Sequence, residues 1–584
     1  MRATDQPQQP TDGTATSTSG DASRERISHL TRRHFLSTIA AAAATAALAA
    51  CGGSTATDTP KPAVGTTSPT SGTASGGASP TITVGASSAP QAAAPGKPGG
   101  KKIFRVAFSG DVQNMDSAAI TTDPDNQAGE AIYNYMARYT YNPPLGTDIL
   151  PDLAEKWEIS PDAKVITFHL RKGAQFHRGY GDCTAEDVKW NWTRIQDEKT
   201  ASRFRTDFSG GTFDVLDPLT LKVTFDRPYP SFIPAALGYV SGLIMSQKAF
   251  QELGANWKSN PVGCGPFSWG AWTPGSELTL NRFDGYWGQK PKIDQIVMRL
   301  KADERPSTLA ISKGELDATY IDDPDVARDV QKNPPPNTTL LKAASGQGTY
   351  WLAFNMKHKP LDDLRVRQAL RYAIDVNSIA KDLFGGFADP LYGFLPPFMF
   401  GYSDEVMKYD YNPDKARQML KAANVPADWQ PAMLGNTTSI IAHKVHEAVG
   451  SYWADVGVKV KNDLPDSGVF LKRRAAGDYD MFGIGVGRIE PDQVATPYFR
   501  SGSTVNNSFY NGVDDLIDQA RAEPDRPKRA DLYKKTLQKV AEDSPAAFIV
   551  ATNSPMLVNK RVTGIAGSGW LHRFDWFNID VPAE

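Results

Sequence analysis

The stretch from Thr31 to Cys51 constrains the chain most, because it separates a segment that is removed from a segment that folds. Arg32 and Arg33 precede an uncharged run from Ser37 to Ala50, and counted from Phe35 the apolar stretch is sixteen residues long. A spanning helix needs roughly 20 such residues, so this one is too short, and too rich in alanine, for a membrane anchor. A basic pair, a short apolar core and small residues before the cut read as an export signal. Residues 1–50 are therefore expected to be a signal peptide that contributes nothing to the fold. The segment 52–100 is built from Gly, Ser, Thr, Ala and Pro, with too few large apolar side chains to offset the entropy of ordering. It reads as a flexible tether that spans about 35–42 Å root-mean-square.

Two motifs sharpen this reading. Thr31-Arg32-Arg33-His34-Phe35-Leu36 resembles the twin-arginine signal, an address for export of folded cargo. Leu48-Ala49-Ala50-Cys51 resembles the lipobox of bacterial lipoproteins, where cleavage falls before the cysteine and the new terminus is acylated. The resemblance implies Arg32 and Arg33 as the transport signal and Cys51 as the lipidation site. The lipidated cysteine and tether then occupy 51–100. Acyl chains contribute about 0.8 kcal/mol per buried CH₂, so the body is expected to be extracytoplasmic and lipid-anchored to the bacterial cell membrane.

The body runs from about Lys101 to the end. Single cores stop growing beyond about 250–300 residues, so two or three lobes are expected. The 63 basic and 65 acidic side chains balance, and no basic stripe marks a nucleic-acid partner. Besides Cys51 the chain has only Cys183 and Cys264. Their spacing matches no metal pattern, and an oxidising compartment allows a disulfide if they meet.

Ile103–Phe108 reads as a short apolar strand, and period-two alternation predicts strands at Val165–Leu170, Leu221–Phe225 and Ile296–Leu300. Thr184 with Asp187 has the form of a helix capping box. Asp362-Asp363 opens a helix whose Val366, Ala369, Leu370, Ala373 and Ile374 share one face. Asn412-Pro413-Asp414 opens another, and 440–456 and 513–543 read as further helices. Strands and helices mixed without strict βαβ repetition indicate an α/β or α+β protein of several lobes.

Signatures of catalysis are mostly absent. There is no Gly-x-Ser-x-Gly elbow, no phosphate-binding Gly-Lys-Ser/Thr loop and no His-Glu-x-x-His. His443 and His446 lie three apart on a helix and could share a face, but no third metal ligand is visible and they read as surface residues. No cofactor, metal or enzymatic activity is expected. A large tethered body of this kind is expected to bind rather than to react.

The blocks along the body carry a resemblance. Leu150-Pro-Asp-Leu-Ala-Glu-Lys-Trp157, Thr167-Phe-His-Leu-Arg-Lys-Gly173, Phe176-His177 and Thr184-Ala-Glu-Asp-Val188 come first. Asn260-Pro-Val-Gly-Cys-Gly-Pro-Phe267, Tyr286-Trp287-Gly288 and Gly314-Glu-Leu-Asp317 follow. Pro360 to Leu370, Tyr411 to Ala416 and Gly477-Asp-Tyr-Asp480 complete the order. Together they resemble family 5 of the bacterial extracellular solute-binding proteins, the peptide, nickel and opine class of ABC-importer receptors. The resemblance implies a two-lobed periplasmic-binding-protein clamp (class II, cluster C type) with an extra third domain. By analogy the first lobe takes 101–122, 212–320 and 553–584, the extra domain 123–211, and the second lobe 321–552. The implied function is capture of a peptide-like or other small organic solute between lobes that close as a hinge. The implied partners are ABC permease subunits, and the body acts as a monomer. The alternative on the same fold is a solute-sensing lipoprotein.

The family also suggests where solute sits. Peptide-binding members place an aspartate in the loop that here reads Gly483 to Pro491; at its position stands Gly487 or Arg488, with Glu490 nearby. Arg488 suits a carboxylate or phosphate, which points to an anionic or sugar-like solute, while Glu490 offers a shifted negative charge for an amine. Asp111, Phe204 and Arg474 match positions that line the site in relatives. Tyr350, Trp351 and Tyr392 are candidates to replace the aromatic wall lost at Gly485-Val486.

Overall fold

The alternating strands assemble into two separate large sheets, and the chain crosses between them twice. The computed structural model describes residues 99–139, 149–342, 348–437, 439–565 and 573–584. Arg32, Arg33, Cys51 and nearly all of the expected tether lie outside the described residues. The described residues fall in one compact unit.

The first sheet has seven strands, in the order Phe267–Thr273, Glu277–Arg282, Gln295–Arg299, Ile103–Ala107, Ala318–Tyr320, Met556–Asn559 and Thr338–Leu341. Ile103–Ala107 lies at its centre, parallel to both neighbours. Because side chains alternate along a strand, Phe104 and Val106 enter the largest core. Ala107 enters the opposite one, which the helices Glu304–Lys313 and Pro324–Lys332 cover with Ile311, Val326 and Val330.

The second sheet has six strands, in the order Ala388–Pro390, Ala546–Thr552, Gly348–Phe354, Met481–Val486, Ala432–Leu434 and Lys461–Asp463. Tyr350, Leu352 and Phe354 face the helices Leu364–Tyr372, Pro413–Ala422 and Ile440–Asp455. Trp351 and Ala353 face the other side, under Asp514–Ala522 and Arg526–Asp543. Both faces are covered, so these strands read as nearly continuous apolar runs.

A third, four-stranded antiparallel sheet joins Ala154–Ile159, Val165–Leu170, Thr220–Phe225 and Gly211–Asp217. Its core is continuous with that of the first sheet.

Helix starts follow the side chains that precede them. Thr184 and Asp187 form a complete capping box before Ala185–Gln196. Asp363 accepts from Arg365 N, and Asn412 accepts from Lys415 N. The expected helical stretch 513–543 is two helices, divided where Asp525 caps the second by accepting from Lys528 N. Arg367 is buried and donates to the carbonyls of Leu361, Asp362, Asp543 and Ser544 at 2.8–3.1 Å. It ties the end of Arg526–Asp543 to the start of Leu364–Tyr372, a scaffold role.

One crossover between the large sheets joins Thr338–Leu341 to Gly348–Phe354. The other is the short step from Ala546–Thr552 to Met556–Asn559, through Asn553, Ser554 and Pro555. Asn553 N donates to Phe387 O at 2.9 Å, and Ile321 N donates to Pro555 O at 2.9 Å. The step is thus held from both sides.

Candidate functional site

A cavity of about 320 Å³ opens between the two large sheets, beside these crossovers. On the first lobe it begins where parallel strands end. Ser109 follows Ile103–Ala107, and Asp322 follows Ala318–Tyr320. Ligands of open α/β sheets bind in the crevice outside the carboxyl ends of the strands. Asp123 and Glu304, each the first residue of its helix, complete that wall.

On the second lobe the register brings three strand ends together. Gly348 pairs with Thr552, Thr349 with Val486, and Tyr350 with Gly485. These residues with Gly487 and Ser554 form one wall, and Ser439, Ile440 and Ile441 add the N-terminus of the helix Ile440–Asp455. That first turn carries no acidic side chain. Its backbone N–H groups lack intrahelical acceptors, and Ser439 Oγ accepts from Ala442 N.

The walls differ in charge. The first lobe presents three carboxyls, and among the described residues lining the cavity none is lysine or arginine. Glu304 accepts from the N–H groups of Asp322 and Asp323 at 3.0 and 3.1 Å. Burial, and then the charges of Asp322 and Asp323, push its carboxyl up to about 7. An entering cation would relieve that repulsion.

Tyr350 is held from behind. His446 Nδ1 lies 3.0 Å from Asn462 Oδ1, and His446 Nε2 lies 3.0 Å from the Tyr350 hydroxyl. The Nδ1 proton therefore goes to Asn462, and Nε2 accepts from the tyrosine. Burial lowers the His446 pKa to about 4, so the imidazole stays neutral. His446 is thus a core residue, not the surface residue expected from the sequence. His443 Nε2 rests 2.9 Å from Thr437 O.

Comparison with known proteins identifies the clamp. Residues 148–508 match the family described as "Bacterial extracellular solute-binding proteins, family 5 Middle". The chain belongs to this family. The dipeptide-binding protein of Escherichia coli (strain K12) is 30% identical over 470 residues, covering 74% of this chain and 86% of that protein. Two solved structures are similar. The ABC transporter-associated periplasmic binding protein DppA from Helicobacter pylori, in complex with the peptide STSA, superposes at a TM-score of 0.73. It is 27% identical, with 82% of this chain and 98% of that one covered. AgaA from A. tumefacien R10, in complex with agropinic acid, superposes at 0.72 with 29% identity, covering 82% and 99%. This family 5 receptor is therefore an α/β two-lobed clamp, an extracytoplasmic solute-binding protein of the ABC-importer type. No helix among its described residues is long and apolar enough to cross a membrane.

The residues singled out from the sequence scatter within the receptor. Tyr350 lines the cavity. Trp351, next along the strand, points to the opposite face and packs on Tyr498, Phe499 and Phe548. Tyr392 donates its hydroxyl to Asn377 Oδ1 at 3.2 Å, and Arg474 donates Nε to Asn507 Oδ1 at 3.1 Å. Asp111 is buried, with Lys301 Nζ 3.5 Å away. Phe204 packs edge-on against Tyr239 at 5.7 Å.

Arg488 donates to the Tyr239 hydroxyl at 2.6 Å and to Gly487 O at 2.8 Å. Its guanidinium thus ties this loop to Tyr239, while the neighbouring Gly487 lines the cavity. Glu490 is buried farther along the same loop, within the fields of Arg529, Asp492 and Arg526.

The lining acids Asp123, Glu304 and Asp322 went unnoticed in the sequence. A signal for them exists. Thr122 with Asp125 is a capping box around Asp123-Pro124, and Asp323-Pro324 is a helix start. Those helix starts were legible, but not the fact that they face one cavity.

Proposed function

We propose that this receptor captures a peptide-like solute by its free amine and delivers it to a membrane permease. The observation that carries this reading is the acidic first-lobe wall of Asp123, Glu304 and Asp322, facing a second-lobe wall of strand ends and one helix N-terminus. A solute ammonium is stabilised by the carboxyls, and a carboxylate by the helix N-terminus of Ile440–Asp455. The zwitterion of a short peptide matches both. Arg488, on which the expectation of an anionic solute rested, is engaged by Tyr239 and Gly487 and supports that expectation less.

The finer organisation belongs to the same proposal. Residues 1–50 are removed as a twin-arginine signal, Cys51 carries the lipid, and 51–100 tether a monomeric, non-catalytic body. The lobes follow 101–122, 212–320 and 553–584 for the first and 321–552 for the second, with the extra domain at 123–211. Sheet membership and packing favour three adjustments: Gly211–Asp217 and Thr220–Phe225 go with the extra domain, while Thr338–Leu341 with the preceding segment that holds Asp322, and the helix Asp123–Ile132 packed on Phe267–Thr273, go with the first lobe.

Thermal unfolding of the protein with dipeptides and with the same dipeptides N-acetylated tests the reading. Ligand at a hundredfold excess over Kd stabilises by about 2.7 kcal/mol. Free dipeptides should raise the midpoint and acetylated ones should not. Asp322→Asn combined with Glu304→Gln should weaken the free dipeptide about tenfold or more, the loss of a charge-assisted pair. Equal shifts from free and acetylated peptides would overturn the proposal.

A further inference from the structure

Two cysteines in the body, 81 residues apart in sequence, meet in the interior. Cys183 closes the loop before the helix Ala185–Gln196, where its N–H donates to Ala174 O at 2.7 Å. Cys264 sits between Gly263 and Gly265, just before the edge strand Phe267–Thr273 of the first sheet. His177, from the loop of Cys183, grips that segment on both sides. Its N–H donates to Gly263 O at 2.9 Å, and its ring Nε2 lies 2.9 Å from Gly265 O.

The glycines make the approach possible. A Cβ on Gly263 would stand 2.0 Å from Ile132 O, and one on Gly265 would stand 2.6 Å from Tyr133 O. Only a backbone without side chains threads between Ile132-Tyr133 and His177, and it delivers Cys264 to Cys183. Both are free, buried thiols in this structure, and Cys264 is the first influence on the Cys183 thiol. Among the described residues, no group of three or more histidines, cysteines or acids could hold a metal ion, which leaves the pair to each other.

We propose that Cys183 and Cys264 are joined by a disulfide in the exported receptor, stapling the extra domain to the edge of the first lobe. Extracytoplasmic compartments favour such bonds. The oxidant is the disulfide of an exported dithiol oxidase. One cysteine thiolate attacks it to form a mixed disulfide. The other thiolate then displaces the oxidase as its dithiol, so two protons and two electrons leave the pair. The hydrogen bond with Cys264, and then burial, push the Cys183 thiol well above its ordinary value. Thiolate is therefore scarce while the core is closed, so the bond forms when the loop opens locally after export of the folded body and resists reductant afterwards.

The full-length protein, isolated from the extracytoplasmic fraction, is denatured with an alkylating agent and no reductant, then mapped by peptide mass. The expected result is one cross-linked peptide carrying Cys183 and Cys264, lighter by two hydrogens than its parts and unalkylated. A reductant should lower the unfolding midpoint of the wild type only when denaturant opens the core, and should leave a Cys183→Ala/Cys264→Ala variant unmoved. Alkylation of both cysteines in the unreduced exported protein would overturn the proposal, as would a wild-type midpoint indifferent to reductant under denaturing conditions. Neither readout involves solute, so the bond and the amine-binding reading fail separately.

Discussion

Glu490 offers a sharp test of how the cleft loop is built. The side chain is 6% exposed, and its Oε1 is buried without a hydrogen-bond partner. Burial pushes its carboxyl from an ordinary 4.5 up to about 7, with Arg529 pulling the other way and Asp492 adding to the rise. Such a carboxyl holds its proton more tightly in the folded protein than in the unfolded one. Stability therefore falls as pH rises from about 4.5 through about 7, and the loss is complete above that window. Every tenfold change in proton affinity between the two states is worth about 1.4 kcal/mol, so the group costs about 3 kcal/mol at alkaline pH. With about 2.1 cal/mol/K of unfolding entropy per residue over a body of about 480 residues, the cost corresponds to about 3 °C in Tm.

Glu490→Gln removes the titration and keeps the shape. Wild type and variant should melt within about 1 °C of each other at about pH 5, and the variant should melt about 3 °C higher at about pH 8.5. Differential scanning calorimetry of the pair reads this directly. Asp207, pushed up to about 7 by burial and then by Asp492, titrates in the same range in both proteins and largely cancels in the difference. Parallel pH profiles would refute the burial argument. Unchanged stability together with lost solute affinity would instead return Glu490 to the cleft.

Two further outcomes follow from packing near the site and within the first lobe. Gly483→Ala should lower both stability and solute affinity, because the added Cβ would lie 2.2 Å from the Tyr350 hydroxyl and 2.4 Å from His446 Nε2. A crowded core of this kind costs about 1–3 kcal/mol, and a melting curve with a solute titration checks both effects. Asp317→Ala should destabilise by about 3–5 kcal/mol, read as a lower urea midpoint. Fully buried, Asp317 accepts from Arg561 Nε at 2.7 Å and Arg105 N at 2.8 Å, so it joins three distant segments of the first lobe.

Much of the architecture was legible beforehand because local physics decides it. The alternation of Ile166, Phe168 and Leu170 became the strand Val165–Leu170, and Asp363, Asn412 and Thr184 start helices as their side chains require. The ordered blocks carried the family correctly. The cleft was less legible. Tyr350 and Trp351 are adjacent aromatics, yet one lines the cavity and the other lies in a core across the sheet. Within one loop, Gly487 lines the cavity, Arg488 reaches Tyr239, and Glu490 is buried.

By itself the sequence determined what each segment becomes, since periodicity and caps act over a few residues. It also determined the family, because many weak blocks in one order are jointly specific. Only the tertiary structure decided which segments meet. The cavity wall draws on residues 109, 123, 304 and 322 from one lobe and on strand ends near 348, 485 and 552 from the other. The register among those three strands sets which side chain faces solute. The same holds for Cys183 and Cys264, whose approach depends on a glycine-lined backbone threading between Ile132-Tyr133 and His177. Long-range pairing of this kind leaves no periodic trace along the chain, which is why the acids of the cleft stayed hidden among ordinary helix starts.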